Sequence, residues 1–184
     1  MASQDIDNAF MTAVLTGAAS DPTYAGALSF MRRKFTKNVE GADVVIWGIP
    51  FDSSVSHRPG TRFGPQALRA ASAIFDNDPQ YPFSADLFEK MAVVDYGDCL
   101  LDYGRPWEVV ERVGKEAAAI LDSGAFLLSM GGDHFVTWPL LKVHAERHGP
   151  LALVQFDAHQ DTWEDDGERI DHGTFVARAV NEGI

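Results

Sequence analysis

Short apolar runs alternate with longer amphipathic stretches from residue 43 onward, and this alternation restricts the possible folds more than any other feature of the sequence. The first run, from Val44 to Ile49, carries no polar side chain, which predicts a strand that is buried on both faces. The same pattern predicts strands at residues 92–94, 125–129 and 151–156, and helices at residues 65–75, 106–122 and 138–148. Strands that alternate with helices form βαβ units, so the sequence predicts an α/β fold with a mostly parallel sheet.

Residues 1–40 have weak periodicity and many small side chains, which predicts an N-terminal arm with one short helix at residues 25–33. Residues 41–184 are predicted to form the α/β domain. The formal net charge is −12 and the chain has no Lys/Arg-rich run, so we expect neither nucleic acid nor a membrane as a partner. Cys99 is the single cysteine and no basic residue precedes Arg32, a combination that predicts a cytoplasmic location without a secretory signal.

Side chains of the metal-binding type follow two of the predicted strands. Asp157, His159 and Asp161 come directly after residues 151–156, and His134 follows the preceding strand after two glycines. In extended backbone, side chains at positions i, i+2 and i+4 point to the same face. Ligands of parallel α/β sheets bind at the carboxyl ends of the strands, where a neighbouring strand end brings His134 alongside. The sequence therefore predicts a metal site.

Imidazole and carboxylate ligands without a thiolate favour Mn²⁺, with Zn²⁺ and Fe²⁺ as alternatives. Neighbouring carboxylates also bridge a pair of ions, which polarise a shared water into hydroxide for metal-assisted hydrolysis. An alternative interpretation is that Asp157 and Asp161 are helix caps or turn residues, and that the histidines are ordinary core or surface groups.

Gly131–His134 together with Asp157–Asp161 resembles the metal motifs of the ureohydrolase family of arginases and agmatinases. Gly131–Leu141 and Gly48–Asp52, the latter followed by the loop at residues 58–65, resemble agmatinases in particular. The resemblance implies a three-layer α/β/α fold and a site for two Mn²⁺ ions per subunit. It also implies that a metal-bridging hydroxide hydrolyses a small cationic guanidinium substrate, agmatine, to putrescine and urea. The implied partners are further copies of the chain, in a homo-oligomer that is a trimer or a hexamer.

The resemblance also assigns ligands by motif position. His134 and Asp161 would bind one ion, His159 would bind the other, and Asp157 would bridge them. The family's third metal motif, Asp-x-Asp-x-x-Asp-Pro, has no match after Asp161. We therefore expect that the second metal site is weaker or empty, that the sheet lacks its C-terminal strands, and that this chain alone is inactive.

The segment that follows the ligands is strongly acidic. Six of the eleven residues from Asp161 to Asp171 are acidic, which indicates either a rim that attracts a cationic substrate or an ordinary solvated loop. His172 resembles a family histidine that contacts the substrate or carries a proton, so it is predicted to be catalytic together with Asp161. Trp163 is predicted to lie along the substrate, although core packing is an equal alternative.

Two other functions stay open at this point. A two-metal phosphoesterase shares the Asp-x-His opening of Asp157–His159, but the motifs that should follow it are absent. A truncated or pseudo-enzyme chain that binds metal or only assembles with others is the second alternative. The choice among agmatine, arginine, guanidinobutyrate and related guanidines is left open as well.

Overall fold

The computed structural model describes residues 15–17, 23–75, 79 and 81–184. Most of the first 22 residues, which belong to the predicted N-terminal arm, lie outside the described residues. The chain divides into two compact units. The first unit comprises residues 1–48, 65–98 and 120–130, and the second comprises residues 49–64, 99–119 and 131–184.

The first unit contains nearly all of a four-stranded sheet. Its strands are β1 (Lys34–Phe35), β2 (Val44–Ile49), β3 (Val93–Asp98) and β4 (Phe126–Gly131), in the spatial order β1-β3-β2-β4. Both β1 and β2 pair with β3 in parallel, which confirms the predicted parallel sheet. Val45 and Val94, paired across β2 and β3, are completely buried, as the continuous apolar run predicts. The short β1 was not predicted, because two residues carry no readable period.

The helices are α1 (Gly64–Ser72), α2 (Val109–Leu121), α3 (Thr137–His148) and α4 (Phe175–Asn181). The first three confirm the predicted helices to within a few residues, whereas α4 was not predicted. A 3-10 turn over Pro106–Glu108 precedes α2, and Gly124 after it adopts a positive φ of 81°, a conformation that favours glycine. The helix predicted at residues 25–33 is wrong, because only Phe30–Arg32 forms a 3-10 turn there.

The buried side of α1 includes a charged residue. Leu68 and Phe75 are 46% and 41% exposed, whereas Arg69 is only 6% exposed. The Arg69 guanidinium donates to the Asp95 carboxylate at 2.7 and 2.9 Å and to the Asp98 carboxylate at 2.8 Å. A guanidinium is buried at acceptable cost only when carboxylates pair with it. The two acidic residues of β3 therefore decide which side of α1 is buried, and hydrophobic periodicity alone does not reveal them.

Residues 151–156 do not form the strand that their apolar character predicts. A strand needs a hydrogen-bonded neighbour for its backbone, and none of the four described strands pairs with this segment. Val154 and Phe156 are accordingly 76% and 98% exposed. Within the described part of the chain, no helix is both long enough and apolar enough to cross a membrane.

Candidate metal centre

His134 is held at the start of a tight turn that follows β4. A Cβ at Gly132 would lie 2.1 Å from the backbone oxygen of Phe51, so only glycine fits there. The next residue, Asp133, donates its backbone N–H to the same oxygen at 2.7 Å. Its carboxylate accepts from the N–H of Phe135 at 2.9 Å, which caps the 3-10 turn that begins at His134. The turn therefore presents His134 from a backbone that two hydrogen bonds hold in place.

Three side chains converge at this point. The Nδ1 atom of His134 lies 2.7 Å from an oxygen of Asp161 and 3.0 Å from an oxygen of Asp157. One donor atom from each residue lies within 4.8 Å of the others. Asp161 is buried and has a positive φ of 51°, an unusual conformation for a residue other than glycine and one found mostly where structure or function imposes it.

His159 lies beside this group and is far more exposed. Its ring Nδ1 lies 3.4 Å from Asp157, and its side chain is 82% exposed. The chain bends at Ala158 and His159 instead of staying extended, so the strict alternation of side chains expected from the sequence does not apply there. The backbone N–H of His159 donates to the Asp157 carboxylate at 2.8 Å and lowers the pKa of that group.

The donor set fits a divalent cation. His134, Asp157 and Asp161 offer one imidazole nitrogen and two carboxylates from a compact group, and no thiolate takes part. Such a set suits Mn²⁺ and related ions of hard to borderline character. His159 offers a second imidazole beside this group, since its Nδ1 lies 3.4 Å from an oxygen of Asp157. These residues could therefore hold one ion, with His159 as a candidate ligand on the exposed side.

A cavity of about 500 Å³ adjoins the ligands. Its lining includes His159, Asp161, Trp163, His172 and Gly173. Trp163 is 65% exposed, and its ring centroid lies 6.3 Å from that of His172. The ring lies so close to the backbone of Gly173 that a Cβ there would lie 2.8 Å from it. The cavity therefore has an aromatic wall and a histidine beside the metal ligands.

The loop after β2 contributes to the same region, which the sequence interpretation missed. Ser56 lines the cavity, and the backbone oxygen of Ser54 accepts a hydrogen bond from His172 Nδ1 at 3.0 Å. Asp52 is buried and binds the backbone N–H groups of Gly60 and Arg62, which closes the loop on itself. Polar residues directly after a predicted strand were the available signal. That signal marks residues 52–56 as a candidate part of the site, but it does not single out any one of them.

Several carboxylates of the acidic segment from Asp161 to Asp171 bind groups within the protein instead of facing a substrate. Asp165 forms a bidentate ion pair with Arg178, in which both side chains are 4% exposed. Asp171 pairs with Arg169 at 3.0 Å, and Asp166 accepts from the backbone N–H groups of Glu168 and Arg169. Much of the acidic charge therefore shapes the loop.

Replacing Asp165 by Asn is expected to lower the free energy of unfolding by about 3 kcal/mol, because it leaves the buried Arg178 guanidinium without its carboxylate. The Arg178 hydrogen bonds lower the pKa of Asp165 in the folded protein. Its stabilisation is therefore complete above the unfolded pKa of about 4 and is lost as the pH falls through the lower folded pKa. Urea unfolding at neutral and acidic pH measures both effects. The exposed neighbour provides the control Asp166→Asn, and equal losses in the two variants would contradict the special role of the buried pair.

The fold and the donor set together define an arginase-like α/β protein with a candidate metal centre. A sequence model of the Arginase family matches residues 6–184, and the chain belongs to that family. The family predicted from the sequence motifs is therefore confirmed.

Individual relatives agree with this assignment. The chain is 50% identical over 180 residues to an agmatinase from Chromobacterium violaceum, an alignment that covers 97% of this chain and 56% of the relative. The crystal structure of a hypothetical agmatinase from Burkholderia thailandensis matches with a TM-score of 0.92 and 44% identity, over 96% of this chain and 56% of that one. Proclavaminate amidino hydrolase from Streptomyces clavuligerus matches with a TM-score of 0.77 and 36% identity, over 89% and 54%. The chain thus spans little more than half the length of these relatives.

Proposed function

We propose that the protein is a ureohydrolase that hydrolyses agmatine to putrescine and urea with Mn²⁺. The observation that carries this proposal is the convergence of His134 Nδ1 on the carboxylates of Asp157 and Asp161, at 3.0 and 2.7 Å. The relatives named agmatinase, at up to 50% identity, support the choice of agmatine. A dicationic amine also matches a chain whose formal net charge is −12.

Each residue has a definite part in the proposed reaction. His134 and Asp161 would hold one ion, His159 would hold the other, and the Asp157 carboxylate would serve both. Bound divalent ions lower the pKa of a water molecule and so supply a nucleophile at neutral pH. His172 handles the proton for the leaving amine at its Nε2 atom, because the Ser54 carbonyl occupies its Nδ1. Trp163 lies along the substrate in the cavity of about 500 Å³.

The test compares the 184-residue chain with a chimera in which the C-terminal part of the Chromobacterium violaceum agmatinase follows it. The added part supplies sequence that the chain does not cover in this relative. With Mn²⁺ and agmatine, we expect urea from the chimera and none from the chain alone, because the chain has no third metal motif. Arginine and guanidinobutyrate as parallel substrates measure specificity.

The variant Asp157→Asn in the chimera is the matched inactive control. Equal urea release from the chain and the chimera would contradict the need for a third motif. A chimera that folds and binds Mn²⁺ but releases no urea would contradict the proposed activity.

A second candidate is a chain that binds metal without catalysing a reaction. The observation that favours it is that the ligand group within the described ranges has three members, while His159 is 82% exposed. This candidate predicts Mn²⁺ binding by the chain and no urea from any form of it. Release of para-nitrophenol from para-nitrophenyl phosphate checks phosphoesterase activity separately.

The cellular location and the oligomeric state of the protein are also proposed. Cys99 is the single cysteine, so no internal disulfide can form, which supports a reducing, cytoplasmic location. The proposed product, putrescine, would place the reaction in polyamine metabolism. We also propose a homo-oligomer, a trimer or a hexamer as the family resemblance implies. Light scattering of the chimera measures this state directly.

A further inference from the structure

We propose that Ser54 is a positioning residue that couples the metal ligand His134 to the proton-carrying His172. The proposal rests on the function proposed above for these two histidines. Ser54 follows β2, lies 118 residues before His172 in the sequence, and contacts both parts of the centre. One contact uses its side chain and the other uses its backbone, so that a single residue joins two segments of the second unit.

The side-chain contact leads toward the metal ligand. The Ser54 hydroxyl donates to the Asp133 carboxylate at 2.6 Å. That carboxylate is 3% exposed, and its other oxygen accepts from the N–H of Phe135 to cap the turn that begins at His134. A buried carboxylate with two donors is strongly fixed, since the loss of either donor leaves a charged oxygen without compensation. Asp133 therefore links Ser54 to the turn that begins at His134.

The backbone contact leads toward the proton carrier. His172 Nδ1 lies 3.0 Å from the backbone oxygen of Ser54. A carbonyl oxygen only accepts hydrogen bonds, so Nδ1 must carry a hydrogen and donate it. In the neutral ring, the lone pair then lies on Nε2, which is the nitrogen left to exchange a proton. The position of the Ser54 carbonyl thus selects the tautomer of His172.

The two contacts have a joint consequence. If the hydroxyl is removed, the loop loses its anchor on Asp133, and the Ser54 carbonyl is held less firmly against His172. The Ser54 hydroxyl bonds Asp133, and Ser54 is not among the described residues that line the cavity of about 500 Å³, so we expect it to act through Asp133 and His172. Its loss should therefore change the state of His172 before it changes the binding of metal or substrate.

The decisive experiment measures the His172 tautomer by ¹⁵N NMR on the metal-free 184-residue chain, at a pH where the ring is neutral. A His172→Gln variant assigns its signals. We expect the Nδ1–H tautomer in the unmodified chain and, in Ser54→Ala, about a fivefold fall in the ratio of Nδ1–H to Nε2–H forms, the effect of weakening one hydrogen bond. In the active chimera, the same variant should lower kcat about tenfold and leave KM nearly unchanged.

Two further comparisons keep the result specific. Ser53→Ala changes the exposed neighbouring serine and should leave the tautomer ratio and kcat unaltered. Ser54→Thr keeps the hydroxyl and should preserve the tautomer ratio and kcat. Ser54→Val has about the volume of Ser54→Thr but no hydroxyl, so it should lower both. This pair replaces Ser54→Ala as the test if Ser54→Ala loses its native circular dichroism spectrum. An unchanged tautomer ratio in folded Ser54→Ala or Ser54→Val would overturn the proposal. Because the NMR readout needs no turnover, it separates failure of this proposal from failure of the proposed activity.

Discussion

Replacing Asp161 by Asn should weaken Mn²⁺ binding at least about 100-fold while the protein stays folded. Asp161 Oδ2 lies 2.7 Å from His134 Nδ1, and the side chain is 7% exposed, so its carboxylate supplies much of the charge at the centre. The amide keeps the shape and removes the charge. Even residues that only support metal ligands typically contribute 10- to 100-fold in affinity, and a ligand should contribute more. Isothermal titration with Mn²⁺ measures the change.

The backbone conformation at Asp161 should tolerate this substitution without strain. Asp161 has a φ of 51°, a region that asparagine adopts more readily than most residues, so Asn should not strain the chain. Asp166→Asn changes an exposed carboxylate of the same loop and should bind Mn²⁺ as the unmodified chain does. Equal affinity in Asp161→Asn and Asp166→Asn would mean that the Asp161 carboxylate is not a metal ligand.

The strands show which part of the fold could be predicted from the sequence and which part could not. The run from Val44 to Ile49 predicted β2 correctly, because both of its faces are buried and its partner β3 lies within the described chain. Residues 151–156 carry a similar pattern, with Gln155 as their single polar residue, yet they form no strand. Strand formation is a property of a pair, since the backbone hydrogen bonds belong to two segments. The apolar character of one segment therefore does not show whether a second segment pairs with it.

The residues of the site also differ in whether the sequence identifies them. His134, Asp157 and Asp161 could be identified because each stands in a local motif whose residue types already indicate a metal. Ser54 could not be, because its importance arises from partners 79 and 118 residues away in the sequence. Serine in a loop is also common for reasons unrelated to a site. Local chemistry is readable from a sequence, whereas contacts between distant loops require the structure.

Replacing Gly132 by Ala should lower the free energy of unfolding by about 3 kcal/mol or more, a large part of the stability of an ordinary domain. The new Cβ would lie 2.1 Å from the oxygen and 2.8 Å from the nitrogen of Phe51, and 2.9 Å from the oxygen of Ile49. All three are backbone atoms, which cannot rotate away as a side-chain tip can. Relief would require moving the loop that also hydrogen-bonds Asp133, so urea unfolding should show the loss.

The adjacent glycine supplies the control, because Gly131 and Gly132 stand in the same motif and have different surroundings. A Cβ at Gly131 would meet its nearest neighbour, a methyl group of Val136, at the ordinary distance of 3.6 Å. Gly131→Ala should therefore change stability by no more than about 1 kcal/mol. If both variants lose the same stability, the motif acts through glycine flexibility in general. If only Gly132→Ala does, the close approach of the Phe51 backbone is what requires glycine at this position.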